Sequence, residues 1–195
     1  MPIEFTDLLA LDRTAVEHSI TLIDPITTAD LSRPTPCTGW DLAHLIAHMT
    51  AQHRGFAAAA AGRGADPEPW KELPATDPVE EYRQAARDAL TAFTGAADAA
   101  FTMPEIAPRT IPAPMGVGFH LVDYVVHSWD VAIARGVPFT PEPDLVAAAL
   151  PIALAVPDDE QRLSPTFPFR PAVPVPGDAP PFDRLLAALG RRPMP

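Results

Sequence analysis

The residues best suited to chemistry lie between Asp123 and His127, in a segment whose composition predicts an α-helix. Positions i and i+4 of a helix project from the same face one turn apart, so this carboxylate and this imidazole would be neighbours. His120 precedes His127 by seven residues and is expected on that face too. A carboxylate beside one or two imidazoles suits a divalent metal such as zinc. The spacing therefore indicates a candidate metal site.

A second pair with the same spacing, His44 and His48, lies upstream in another predicted helix. Two facing helices would bring the two pairs together and close a metal site. On spacing alone, most pairs of this kind belong to a solvated surface or form a local hydrogen bond. The apolar residues around Asp123 favour a buried carboxylate, which needs a partner because an unpaired one is costly. That partner would be His127 or a metal.

Helices must position these side chains. Apolar residues recurring with a helical period predict four long helices and a shorter fifth, over about residues 5–23, 40–61, 78–97, 115–135 and 141–156. The second helix is preceded by Thr38-Gly-Trp-Asp41, which has the form of a capping box with Asp at its last position. The fourth helix is expected to stop at Gly136, which is followed by valine and proline.

The second half of the chain changes character, because 14 of the 26 prolines follow Gly136. Residues 62–78 and 99–114 are predicted to be loops punctuated by proline. Residues 167–177 are predicted to form an extended strip, since their prolines prevent a helix and disfavour a central strand. A last short helix is expected over about residues 182–189.

Together these elements predict an all-α protein: a four-helix bundle with an extra short helix and an extended proline-rich C-terminal strip. We expect residues 1–156 to form the bundle domain and residues 157–195 to form an extension packed on it. Metal sites in bundles are built from side chains on facing helices, which suits the spacing of the histidines and the aspartate.

Composition narrows the classes of partner. With 195 residues, 47% of them hydrophobic, the chain is long enough to fold around a core. Its formal net charge of -11 disfavours nucleic-acid backbones and anionic membrane surfaces. No apolar run is long enough for a transmembrane helix, and the N-terminus lacks the pattern of a secretory signal. The single cysteine, Cys37, allows no internal disulfide, and a cytoplasmic protein is expected.

Four further residues outside the two pairs have side chains that could take part in chemistry or support the site. Cys37 precedes the predicted second helix, a position that can activate a thiol, but loop packing is favoured over a role as nucleophile. Asp130 is expected to serve its helix or to support the metal site from outside the ligand set. His18 and His53 are expected at the surface.

Three motifs resemble the signatures of one family. Residues Pro34–His48 are similar to the loop–helix signature of the DinB-like superfamily, in its mycothiol-dependent maleylpyruvate isomerase-like group of actinobacterial metal-binding proteins. Asp123–Asp130 resembles the second signature of that group, and Asp178–Arg191 resembles its C-terminal tail. The motifs occur in the family's order and cover nearly the whole chain. The resemblance implies a DinB-like four-helix bundle in which three side chains hold a divalent metal, most simply zinc.

The family motifs match His48, Asp123 and His127 as the metal ligands. They leave His44 outside the ligand set, one turn earlier and facing solvent. The acidic ligand of maleylpyruvate isomerases is usually glutamate, and the shorter Asp123 could change the reach to the metal or its affinity.

Two further residues are candidates for roles beyond metal binding. His120 is a candidate catalytic residue, either in contact with substrate or as an acid or base, although a structural histidine is favoured. Arg191 is a candidate cofactor-binding residue, because a guanidinium can hold a carboxylate, and a solvated chain end is the alternative.

The resemblance implies a metal-dependent enzyme that activates a low-molecular-weight thiol, mycothiol. The metal would bind the thiol sulfur, and the thiolate would attack an electrophilic carbon of a small-molecule substrate, which gives thiol transfer or isomerisation. Two alternatives stay open. The fold could be recruited as a cyclase or isomerase in natural-product biosynthesis without metal chemistry, or the protein could be a non-enzymatic metal-binding protein. A homodimer is also compatible with the superfamily.

Overall fold

The structure, a computed structural model, describes residues 3–104, 107–164 and 167–193. The described residues form six α-helices: α1 Phe5–Ile23, α2 Leu42–Ala60, α3 Pro78–Thr94, α4 Ala113–Arg135, α5 Pro143–Leu154 and α6 Pro181–Ala188. Two short 3₁₀ helices cover Glu68–Trp70 and Glu160–Leu163. This helical content confirms the predicted all-α class, and the helices begin and end close to their expected positions.

The chain comprises two compact units, Met1–Phe139 and Thr140–Pro195. The first unit contains α1 to α4, and the second contains α5, α6 and the proline-rich strip. The sequence-based division at residue 156 assigned α5 to the bundle domain, whereas in the structure α5 packs on α6. The expected packing of the extension on the bundle stays a prediction.

The four helices of the first unit pack as a bundle. α1 packs mainly on α4 and α2 mainly on α3, while further contacts join α2 to α4 and α1 to α3. Each helix buries the residues that recur with a helical period, and α4 is buried along most of its circumference because it contacts both α1 and α2. α4 ends at Gly136, whose left-handed φ of 69° suits a residue without a side chain.

The predicted loop at residues 99–114 instead contains a β-hairpin. Strand β1, Ala100–Met103, pairs antiparallel with β2, Ala107–Pro112, and Phe101 lies opposite Ile111. The sequence analysis missed it because the strands are short and β2 contains prolines. Proline is tolerated here since each strand of a two-stranded sheet is an edge strand.

The hairpin is anchored to the bundle by its apolar side chains. Phe101 and Met103 are completely buried. The Phe101 ring approaches α4 at Gly116, where an added Cβ would lie 2.3 Å from the ring. Glycine at this helix position therefore allows the close contact that holds the hairpin.

In the second unit, residues 171–176 have no regular secondary structure, as the proline-rich pattern predicts. The strip is tied to α6 by a hydrogen bond from the Val173 N–H to the Ala187 carbonyl, 2.9 Å long. Arg162 is 1% exposed and donates to four backbone carbonyls, those of Val156, Pro157, Arg170 and Ala188. A fully satisfied buried guanidinium of this kind fixes the strip and the helix ends in one arrangement. No helix among the described residues is both long and apolar enough to cross a membrane.

Candidate metal centre

The loop before α2 sets where that helix begins. The chain reverses at Gly39, which has a φ of 83°, and the Thr35 N–H donates to the Trp40 carbonyl over 3.1 Å. The Asp41 carboxylate then accepts from the backbone N–H of His44 at 2.9 Å and caps the helix. Asp41 is thus the N-cap, rather than Thr38 as the capping-box pattern predicted.

This start fixes which side of α2 faces the core. Leu45, Ile46 and Met49 are completely buried. His48 lies at the edge of that face with 20% of its side chain exposed, and His44 is more open at 43%. The structure therefore places His44 nearer to solvent, as the family resemblance implied.

Helix α4 supplies the other pair. The Asp123 and His127 side chains are 21% and 7% exposed, and Asp123 Oδ1 lies 3.3 Å from His127 Nε2. Their spacing of one helical turn produces this contact directly. The pair lies on a helix whose other residues are mostly buried, so water can reach it from one side only.

Packing of α2 against α4 brings His48 to this pair. One ligand atom from each of His48, Asp123 and His127 lies within 4.8 Å of the others. Asp123 Oδ2 is buried without a hydrogen-bond partner among the described residues. An unsatisfied carboxylate oxygen beside two imidazoles fits a divalent cation, which would supply the missing partner. The ligand assignment itself stays a prediction.

A glutamate from outside the motifs contacts two of the three histidines of α2. Glu72 Oε1 lies 2.9 Å from His48 Nδ1, and Glu72 Oε2 lies 2.8 Å from His44 Nε2. The Trp40 ring stacks on His44, with ring centroids 4.4 Å apart and an interplanar angle of 16°. The hydrogen bond from His48 lowers the pKa of the Glu72 carboxyl, so the glutamate is an anion at neutral pH.

His127 has a carboxylate partner of its own. Its Nδ1 lies 2.9 Å from Asp130 Oδ2, and the Cys37 thiol donates to the same oxygen over 3.3 Å. Cys37, His127 and Asp130 also bring ligand atoms within 4.8 Å of one another. Because hydrogen bonds already join these three residues, we interpret them as support for the His127 ring.

The electrostatics of the Asp123–His127 pair favour charge on both partners. Burial by itself lowers the pKa of His127, but the Asp123 and Asp130 carboxylates outweigh it and hold that pKa well above its usual range. Burial likewise raises the pKa of Asp123, and the nearby His127 more than compensates and lowers it. A proton therefore occupies the space between the two residues when no other cation does. A metal with two positive charges would replace that proton.

His120 has partners outside the ligand set. It is completely buried, with Nδ1 2.7 Å from Asp12 Oδ1 and Nε2 3.1 Å from His53 Nδ1. His53 is also completely buried rather than at the surface as expected, and it stacks on the Tyr124 ring at a centroid distance of 4.0 Å. Seven residues along a helix rise about 10 Å, so His120 shares a face with His127 but lies about two turns earlier along α4. The catalytic role of His120 stays a prediction.

Arg191 lies in the second unit, immediately after α6. Its guanidinium donates to the Leu189 carbonyl over 3.1 Å, and its backbone N–H donates to Leu186 O over 2.9 Å. These bonds give it a role in ending the helix. Its assignment to cofactor binding stays a prediction.

Sequence reasoning missed Glu72 as a partner of the candidate site. The residue lies in a loop without apolar periodicity, and 24 positions separate it from His48. Asp12 was also missed, although an acidic residue on the buried face of a helix is a signal that could have identified it. Both contacts depend on how separate segments pack.

Comparison with known proteins identifies the family of this chain. Residues 13–132, more than half of the chain, match the family model of the mycothiol maleylpyruvate isomerase N-terminal domain. The protein therefore belongs to this family, which confirms the resemblance seen in the sequence motifs. Two uncharacterized proteins from strains of Mycobacterium tuberculosis are each 28% identical to it over 193 residues, which span 95% of this chain and 98% of the relative.

Two solved structures share the fold. A crystal structure of the mycothiol-dependent maleylpyruvate isomerase superposes with a TM-score of 0.60 at 17% identity, over 78% of this chain and 69% of that chain. A histidine-to-alanine mutant of that enzyme gives a TM-score of 0.62 at 16% identity, with the same coverage. At this level of identity the match establishes the fold alone.

Proposed function

We propose that this protein is a metal-dependent enzyme that activates a low-molecular-weight thiol, mycothiol, for isomerisation of a small electrophilic substrate or transfer to it. The proposed ligands of the divalent metal are His48, Asp123 and His127. The observation that carries this proposal is the convergence of three donor atoms within 4.8 Å. Membership of the mycothiol maleylpyruvate isomerase family supports the thiol and the reaction class.

The donor set fits a catalytic site better than a structural one. Two imidazoles and one carboxylate are typical of catalytic zinc, which keeps a coordination position for a fourth, exchangeable ligand. A divalent metal held there would lower the pKa of a coordinated thiol and so supply a nucleophile at neutral pH. No cysteine of the chain is required for that step, which agrees with the place of Cys37 beside Asp130.

The chain itself would orient the donors and limit water. Asp123 lies against His127, and the His48 and His127 rings meet edge to face with centroids 5.3 Å apart. The three side chains are between 7% and 21% exposed, so a ligand can reach them while bulk water is largely excluded. In such surroundings a charge on the substrate is screened less than in water.

The experiment that tests this proposal measures metal content and thiol chemistry together. The purified protein is expected to contain about one zinc per chain and to isomerise maleylpyruvate in the presence of mycothiol. In the His48→Ala variant the metal content should fall, and the activity should drop about 100-fold or more because a ligand and its Lewis acidity are lost.

His18→Ala is the matched control, since it removes a histidine of α1 that lies outside the ligand set and packs on Phe139, half-buried rather than at the surface as expected. It should keep both the metal and the activity. Wild-type activity in a metal-free His48→Ala protein would overturn the metal mechanism and favour the metal-independent isomerase or cyclase. A metal-loaded wild-type protein that consumes neither thiol nor any electrophile would instead favour a binding protein.

A further inference from the structure

We propose that Glu72 and Asp130 are positioning residues, each of which holds the Nδ1–H of one histidine ligand and so aims the opposite ring nitrogen into the metal site. This inference rests on the proposed function, because it concerns the same metal. Neither residue belongs to the proposed ligand set, and Glu72 lies outside the sequence motifs.

The His48 ring orientation follows from its contact with Glu72. A carboxylate only accepts hydrogen bonds, so the 2.9 Å contact between Glu72 Oε1 and His48 Nδ1 requires a proton on that nitrogen. In a neutral imidazole the other nitrogen, Nε2, then carries the lone pair that a metal needs. Glu72 thus selects the tautomer and the ring orientation of His48 together.

Glu72 is itself held in place from a second side. Its other oxygen, Oε2, lies 2.8 Å from His44 Nε2, and His44 is stacked on Trp40. His44 would therefore hold Glu72 in place, although His44 is not one of the proposed ligands. The Glu72 side chain is 36% exposed, so water can replace part of its effect when it is removed.

Asp130 performs the same task for His127 from within α4. Its Oδ2 accepts from His127 Nδ1 at 2.9 Å and from the Cys37 thiol at 3.3 Å. The opposite nitrogen of that ring, Nε2, faces Asp123 Oδ1 at 3.3 Å and is therefore directed into the ligand set. Asp130 is completely buried, so water cannot readily replace its hydrogen bond to His127 when the carboxylate is removed. We expect its loss to have the larger effect.

The Glu72 and Asp130 carboxylates make equivalent contacts. Each contacts the Nδ1 of one proposed ligand at the same distance of 2.9 Å, although one comes from a loop and the other from a helix. Partners of this kind typically contribute 10- to 100-fold, as an order of magnitude, to metal affinity. A residue with a merely structural role would change the thermal stability of the metal-free protein without changing metal affinity.

The test is a competition titration of metal-free protein with Zn²⁺ against a chromophoric chelator. Glu72→Ala should raise the zinc Kd about 10-fold, and Asp130→Ala should raise it by up to about 100-fold. Glu72→Gln should recover part of the loss, because its amide oxygen can still accept the His48 proton. Co²⁺ titrations should show an altered visible spectrum in the same variants, since ligand geometry changes.

Glu68→Ala is the matched control, because Glu68 lies in the same segment and pairs only with Lys71 among the described residues. It should leave the Kd unchanged. Circular dichroism and the Tm of metal-free protein report folding, and Glu72→Ala keeps the test valid if Asp130→Ala does not fold. A Glu72→Ala Kd within twofold of wild type overturns the positioning role of Glu72. If His48→Ala abolishes zinc binding while the Glu72 and Asp130 variants bind zinc normally, only this proposal fails. A wild-type protein that binds no zinc overturns this proposal and the proposed function together.

Discussion

The bundle holds two histidine clusters built from the same residue types. The site cluster comprises His48, Asp123 and His127, and the core cluster comprises Asp12, His53 and His120. In both clusters α2 and α4 contribute one histidine each. The clusters differ in the direction of their ring nitrogens and in their access to water.

The core cluster is a linear chain of hydrogen bonds. His120 stands between Asp12 and His53, at 2.7 Å and 3.1 Å, and all three residues are completely buried. The site cluster instead converges on a point, because separate carboxylates occupy the Nδ1 atoms of its histidines. The comparison indicates that the carboxylate partners of a histidine decide whether its other ring nitrogen is directed towards the candidate metal site or joins a chain of hydrogen bonds.

Charge separates the two clusters as well. Burial lowers the pKa of His53 well below its usual range, and the neighbouring His120 lowers it further. Burial acts on His127 in the same direction, but two carboxylates reverse the result and raise its pKa. His53 is therefore neutral in the folded protein, while His127 accepts a positive charge.

The largest expected effect separates the clusters by metal binding. His127→Ala removes a proposed ligand from the site cluster and should weaken zinc binding by about 100-fold or more, since a single ligand contributes several kcal/mol. Chelator competition measures the Kd. Equal weakening of zinc binding by His127→Ala and His120→Ala would contradict the distinction between the site cluster and the core cluster.

The second-largest expected effect is on the free energy of unfolding, and it separates the core cluster from the site cluster. His120→Ala leaves the Asp12 carboxylate buried without its partner, which should cost about 3 kcal/mol of unfolding free energy. Urea denaturation of the metal-free protein measures this loss. Zinc affinity should stay near that of wild type. Activity assayed well below the Tm then decides the catalytic assignment of His120, because a purely structural histidine predicts normal turnover in the folded fraction.

The pH dependence of stability should differ between the clusters. The pKa of His53 is lower in the folded state than the unfolded value near 6.5, so its contribution is present above that pH and is lost as the pH falls below it. The folded pKa of His127 is raised, so its contribution is present below pH 6.5 and is lost as the pH rises through the folded value.

Urea denaturation of metal-free protein between pH 5 and pH 7 measures this difference. The His53→Gln variant should lose less stability on acidification than wild type, by up to about 1.4 kcal/mol per pH unit. Groups that face His53 are His120 and the phenols of Tyr82 and Tyr124. Identical pH slopes for the variant and wild type would contradict the buried neutral state of His53.

The smallest expected effect concerns Asp123, the proposed acidic ligand. Asp123→Glu keeps a carboxylate on the exposed side of α4, and zinc affinity should stay within about tenfold of wild type. Asp123→Asn keeps the size of the side chain but removes its charge, and it should weaken binding more. Zinc Kd values of the two variants check the order, and an Asn variant that binds as tightly as the Glu variant would exclude a carboxylate ligand.

Much of the fold could be predicted because it depends on local patterns. The recurring apolar residues of α1 give Phe5–Ile23, which agrees with the expected 5–23, and Gly136 ends α4 as expected. The hairpin over β1 and β2 could not be predicted, because its pairing is decided by Phe101 packing beside Gly116 on a distant helix.

The sequence by itself determined the helices, the family and the pairing of Asp123 with His127, because one helical turn brings those two side chains together whatever the rest of the chain does. Only the tertiary structure decided the other contacts. It brought His48 and Glu72 to that pair, and it directed His120 towards Asp12 in the core. Contacts within a helix follow from a fixed rise and rotation, whereas contacts between segments depend on packing that no local pattern records.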